Sequence, residues 1–113
     1  MPFIETKTNV KITEEKEKRI KELLGEAISI IPGKSERWLM LNFKDNQRMY
    51  FAGESSPVCY AEVNLFGKAS GEALEALTKR LCEIYESELG VSPGNTYVKY
   101  EEVDNWGWNG GNF

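Results

Sequence analysis

The chain has 113 residues, 41% hydrophobic and 28% charged, which suits one domain spanning residues 1–113 with a modest core of its own. Its 14 basic and 18 acidic residues are interleaved and sum to −4, a balance that argues against a nucleic-acid partner. The chain contains no histidine, which removes Ser-His and Cys-His nucleophile pairs, His-ligated zinc and imidazole proton shuttles. No run approaches the roughly 18 apolar residues of a membrane span, and the N-terminus lacks the basic-then-apolar layout of a secretory signal, so a cytoplasmic location is the default expectation.

An apolar strand is expected from about Phe3 to Asn9, with Pro2 at its head. Pro2 is either an ordinary small second residue or, once Met1 is removed, a free secondary amine. Such an amine titrates at about 7.7–8.0, against about 10.4 for lysine, and burial or a nearby cation such as Lys34 lowers it further. Thr13 then reads as an N-cap with Glu14 and Glu15 in the first turn, where the helix dipole favours them. Ile20, Leu23, Leu24, Ala27, Ile28 and Ile31 recur at three- and four-residue spacing and predict a buried helix face, ended by Pro32-Gly33. The next run, 38–43 (WLMLNF), is short and apolar on both faces, the pattern of a central strand.

The second half repeats this order. Residues 58–66 read as a strand, Ser70 caps a helix with Leu74, Leu77, Leu81, Ile84 and Leu89 as its stripe, Gly90 ends it, and 96–101 close the unit. A shift of 57 places Thr13 on Ser70, Gly33 on Gly90, Ser35 on Ser92, Leu41 on Val98 and Phe43 on Tyr100. Two tandem βαβ units follow, giving an α/β fold with one four-stranded mixed sheet and both helices on one face. The other face then needs a cover, which self-association would supply. The tail 106–113 (WGWNGGNF), rich in aromatics and glycine, is expected to reach a neighbour rather than fold back. Cys59 and Cys82 form no C-x-x-C pair and read as structural thiols.

These residues carry a resemblance. The opening MPFIETKTNV, PGKSERWLM after the first helix, the run GESSPVCYAEVNLFGKASG, NTYVKY with its preceding VSP, and the closing GWNGGNF together resemble the macrophage migration inhibitory factor (MIF) family of the tautomerase superfamily, over essentially the whole chain. The resemblance implies a homotrimer of pseudo-twofold βαβ repeats that uses an amino-terminal proline. It implies Pro2 as catalytic base, Lys34 as the cation orienting a substrate carboxylate, and Tyr97 donated from the adjacent subunit. It further implies an amide from Phe66 at the pocket floor, with Trp38, Asn64, Leu65, Lys99, Trp106, Trp108 and Phe113 on or beside the substrate-binding wall.

Taken by themselves, Lys34 is equally a solvated lysine after a helix C-terminus and Tyr97 a packed strand residue. A base for a proton α to a ketone nevertheless needs a near-neutral pKa, an apolar setting and a donor or cation where enolate charge develops, and Pro2, Lys34 and Tyr97 could supply these. The chain departs from the family in lacking the C-x-x-C of mammalian cytokine members, so no thiol–disulfide activity carries over. Asn64 replaces a pocket histidine, Lys99 replaces an asparagine, and the stretch between Tyr97 and the GWN turn runs about two residues short. The expected activity is keto–enol tautomerisation of small phenylpyruvate-like aromatic 2-oxo acids, an isomerase reaction without cofactor or metal. The alternative is a cytokine-like or host-mimicking binding protein, released without a signal peptide, that engages a receptor protein and keeps a residual pocket.

Overall fold

A computed structural model describes residues 1–113. The chain runs β1 (Pro2–Thr8), α1 (Glu14–Ala27), β2 (Met40–Lys44), β3 (Cys59–Phe66), α2 (Gly71–Leu89), β4 (Thr96–Val103), β5 (Gly107–Trp108) and β6 (Gly111–Asn112). The first four strands form one mixed sheet in the order β2-β1-β3-β4. β1 pairs β2 in parallel, β3 pairs β4 in parallel, and β1 and β3 meet antiparallel at the centre with Pro2 opposite Leu65 and Thr8 opposite Cys59. Adding 57 to the bounds of β1 gives 59–65, within β3, so the sequence repeat is a repeat of structure.

The caps form as the sequence predicts. The Thr13 hydroxyl accepts from the Lys16 amide at 3.2 Å and the Ser70 hydroxyl from the Ala73 amide at 3.1 Å, each satisfying an otherwise unpaired first-turn donor. Gly90 ends α2 in the left-handed conformation, with φ 69°, which a Cβ would disfavour. α1 stops earlier than expected. It gives way after Ala27 to a 3-10 turn over Ile28–Ile30, and Ile31 is already extended because the residue before a proline is driven out of the helical region.

Both helices cover one face of the sheet. Ile4, Ala61, Val63 and Leu65 from the strands pack with Ile20, Leu24, Ile28, Leu77, Leu81 and Ile84 in a single buried cluster. Two polar groups lie inside it with partners. The Thr6 and Tyr85 hydroxyls are 2.7 Å apart, and the Thr8 hydroxyl donates to the Val58 carbonyl at 2.7 Å. Tyr85→Phe would leave the Thr6 hydroxyl buried without that partner, so unfolding by urea should show a loss of about 1–3 kcal/mol. An unchanged midpoint would mean that Thr6 finds another partner.

Three expectations need correction. The run 38–43 is neither a central strand nor apolar on both faces: Trp38 belongs to a 3-10 turn over Glu36–Trp38, the strand begins at Met40, and β2 lies at the sheet edge. In its register, Phe3 faces Met40 and Glu5 faces Asn42, so Met40, Asn42 and Lys44 point to the open face, while Leu41 and Phe43 pack against the helical core. The open face is accordingly not an apolar surface awaiting a cover. Lys44, Glu5, Lys7 and Glu62 form a chain of ion pairs across it at 3.2–3.6 Å, and Asn42 donates to Glu5 at 2.8 Å.

The tail also folds back on its own chain. Asn109 (φ 51°) and Gly110 (φ 82°) both take positive φ and turn β5 onto β6, the conformation a two-residue Asn-Gly hairpin loop requires. The Asn-Gly dipeptide was a legible signal for this hairpin. Both thiols are free, and burial pushes the Cys59 thiol up to about 12, as befits a structural residue. No helix is long and apolar enough to cross a membrane.

Candidate active site

The head of β1 opens into a half-open cavity of about 610 Å³, within the size range of small-molecule sites. Its floor is built by the N-terminus, with Met1, Pro2 and Phe3, and by Asn64 on the neighbouring strand opposite Phe3. One wall comes from the turn before β2 and its entry, Arg37 to Met40, and the other from Val103, Trp106, Gly107 and Trp108. Both walls are placed by turns. The Glu36–Trp38 turn swings the Trp38 ring away from the strand, and the β5–β6 hairpin brings Trp108 edge-on to it with ring centroids 4.9 Å apart.

Phe113 lies behind this aromatic wall. It contacts Trp38 and Trp108 with centroids at 6.4 and 5.9 Å and leans on Phe66 at 5.8 Å, so it supports the lining rather than forming it.

Lys34 stands next to the N-terminus without lining the cavity. Gly33, at φ 82°, turns the chain back after the buried Ile31, and the Lys34 ammonium donates to the Phe66 carbonyl at 2.6 Å. It also lies beside the N-terminal amine. Burial, with the Lys34 cation adding to it, lowers the Met1 amine from its ordinary 8.0 to about 6. The amide of Phe66 is occupied, donating to the Met1 carbonyl at 3.1 Å.

Of the residues singled out from sequence, the structure brings together Pro2, Trp38, Asn64, Trp106 and Trp108 around the cavity, with Lys34 and Phe66 against Met1 outside its lining and Phe113 behind its aromatic wall. It separates three others. The Leu65 side chain is buried in the core, because the alternation of β3 that turns Asn64 outward turns Leu65 toward the helices. Tyr97 is the second residue of β4, at the opposite end of the sheet, opposite Tyr60, exposed and edge-on to Phe51 at 5.3 Å. At ~3.4 Å per residue, the five steps from Leu65 to Tyr60 place it at least about 17 Å from Pro2 along the strands. Lys99 is exposed on the open face opposite Glu62 and does not line the cavity of its own chain.

Sequence reasoning missed Phe3, Arg37, Leu39, Met40 and Val103. For Phe3 and Met40 the signal was the strand register, which sets them opposite each other on the open face; for Arg37 it was adjacency to Trp38.

The sequence model of the macrophage migration inhibitory factor (MIF) family matches residues 1–113. Among solved structures, MIF2 of Leishmania major superposes with a TM-score of 0.93 at 28% identity, covering 100% of this chain and 97% of that one. A macrophage migration inhibitory factor homologue from Prochlorococcus marinus gives 0.83 at 27% identity, covering 98% of each chain. The macrophage migration inhibitory factor of Trichinella spiralis, at 19% identity, shares the fold with a TM-score of 0.82 over 98% of this chain and 99% of its own. With its tandem βαβ halves, its cavity at the head of β1 and a match over its full length, the chain belongs to the MIF family of the tautomerase superfamily.

Proposed function

We propose that the protein is a homotrimeric keto–enol tautomerase acting on phenylpyruvate-like aromatic 2-oxo acids, with the Pro2 nitrogen, freed by loss of Met1, as its general base. The observation that carries this reading is the chain's amino terminus, set in an apolar cavity beside Lys34, where burial and the Lys34 cation lower the Met1 amine to about 6 and would press the same way on a Pro2 amine left in its place. A base that is neutral near pH 7 in an apolar, partly water-excluding cleft is what abstraction of a proton α to a carbonyl requires.

In the proposed step the neutral Pro2 nitrogen takes the α-proton, and the C–H electrons move into the carbonyl to give an enolate. The protonated amine, or a donor beside the oxygen, then delivers a proton to that oxygen; the reverse path returns it to carbon. The step is redox-neutral. Loss of Met1 would uncover two groups at once, the Pro2 nitrogen and the Phe66 amide that the Met1 carbonyl now occupies at 3.1 Å, and that amide could then donate to substrate oxygen. The Lys34 ammonium supplies the positive charge for the carboxylate, and the aromatic wall of Trp38, Trp106 and Trp108 takes the ring.

The oligomer enters the chemistry through Tyr97. Because it lies at the far end of the sheet from Pro2 within one chain, its hydroxyl can serve the cavity only from a neighbour, and a closed ring would repeat that arrangement at every boundary. Light scattering should accordingly give about three times 12.9 kDa.

The direct test follows the ultraviolet absorbance of phenylpyruvate enol with protein whose intact mass lacks Met1. Enol loss well above the buffer rate supports the reading, and none at all sinks it. Lys34→Ala should raise KM for the acid by about tenfold to a hundredfold, roughly 1.4–2.8 kcal/mol, with a smaller change for the methyl ester. Equal effects on acid and ester would remove Lys34 from carboxylate binding.

A further inference from the structure

Arg37 is the one charged side chain among the twelve residues lining the cavity, in a chain whose net charge is −4. It has no carboxylate partner: the ion pairs of the protein involve Lys7, Arg19, Lys44 and Arg80, and the carboxyl of adjacent Glu36 is turned away to fill the space beside Gly25 on α1. Although exposed, it is not without a contact. Its guanidinium lies 5.1 Å over the Trp38 ring, and Trp38 is itself held by Trp108 and Phe113. Stacking on an aromatic face fixes the plane of a guanidinium while leaving its edge donors free, the presentation that suits bidentate capture of a carboxylate.

Two cations thus stand at different places about the cavity, Arg37 in its lining and Lys34 behind it, next to the N-terminus. Lys34 is held on the Phe66 carbonyl beside the N-terminus, and Arg37 is on the wall that carries the aromatic lining. A 2-oxo acid with one carboxylate satisfies one of them. We propose that Arg37 is a specificity-determining residue that binds a second anionic group at the end of the substrate remote from the 2-oxo acid, so that the preferred substrates of this site are dianions: aromatic 2-oxo acids whose ring bears a carboxylate. In the proposed pose the 2-oxo carboxylate is at Lys34 and the ring is against Trp38, over which the Arg37 guanidinium lies at 5.1 Å, so that a ring substituent would meet the Arg37 donors.

Since the tautomerase reading of the same cavity underlies this assignment, turnover and binding are measured together on the Met1-free protein. The probes are phenylpyruvate and 4-carboxyphenylpyruvate, the second differing by one ring carboxylate. The wild-type protein should favour the dianion by about tenfold in kcat/KM. Arg37→Gln should lower both values but the dianion's by about tenfold more, bringing the ratio near one, and Arg37→Lys should restore part of the preference. A wild-type ratio at or below one, or a ratio unchanged in Arg37→Gln, overturns the assignment. If neither enol is consumed, the tautomerase reading falls, and quenching of tryptophan fluorescence decides the rest: tighter binding of the dianion that is lost in Arg37→Gln upholds Arg37 as the second anion site, and equal affinities overturn it.

Discussion

Pro2→Ala, with Met1 removed, is expected to lower kcat for phenylpyruvate enol by about a hundredfold or more, within the 10²–10⁴ attributed to a positioned general base, while the far-ultraviolet circular dichroism stays the same. Alanine also leaves a free α-amine. It lacks the ring that fixes the nitrogen at the head of β1, and a primary amine there is more mobile and a poorer base. A sample that retains Met1 should be inert: Pro2 is then an amide without basicity, Met1 itself lines the cavity, and its carbonyl holds the Phe66 amide. Full turnover in a sample whose mass still includes Met1 would rule out this mechanism.

The pH profile adds a second readout to the same prediction. Only the neutral amine accepts a proton, so activity should be absent at low pH and rise with pH through a single ionisation. The midpoint should lie below the ordinary α-amino range of about 7.7–8.0, because burial and Lys34 both disfavour the charged amine, as they do for the Met1 amine that now occupies the site. Lys34→Ala removes the neighbouring cation and should move the midpoint upward. A midpoint that stays fixed in that variant would mean that burial alone sets it.

Complementation between two inactive variants is the second large effect. Pro2→Ala and Tyr97→Phe should each be poorly active, the latter by about a hundredfold if the hydroxyl donates to developing oxyanion charge. When the two are unfolded together and refolded as mixed rings, a site formed by the Pro2 of a Tyr97→Phe chain and the Tyr97 of a Pro2→Ala chain is intact. Random mixing gives about a quarter of sites this way, so roughly a quarter of wild-type activity should return. The sheet sets Tyr97 opposite Tyr60 and Pro2 opposite Leu65 at its two ends, so a site that uses both is one that two chains must build. No recovery on mixing, with ring formation verified by light scattering, would mean that Tyr97 takes no part from a neighbour.

Local chemistry made much of this protein readable. Thr13 and Ser70 announce helix starts because a short hydroxyl reaches a first-turn amide, and Gly90 announces a stop because a left-handed residue is needed there. The shift of 57 holds because each half must build the same strand, helix and strand from its own residues, and this settled the four-stranded mixed sheet before any coordinate. Pro2, Trp38, Asn64 and the tail tryptophans, which the structure sets around the cavity, were singled out through the family's motifs.

What the sequence left open depends on which face or edge a residue meets, and only the packed chain decides that. The run 38–43 is apolar but for Asn42, and its letters do not distinguish a central strand from a turn followed by an edge strand; the 3-10 turn makes Trp38 a cavity wall, and pairing with β1 makes Met40 an open-face residue, 68% exposed. Leu65 and Asn64 are neighbours in sequence, yet the pleat sends one into the core and the other into the cavity. Arg37 reads in sequence as one more charge beside Glu36. Its standing as an unpaired cation stacked on the cavity wall exists only because the turn aims it there, the hairpin of 107–112 braces Trp38 beneath it, and Glu36 is drawn off to Gly25.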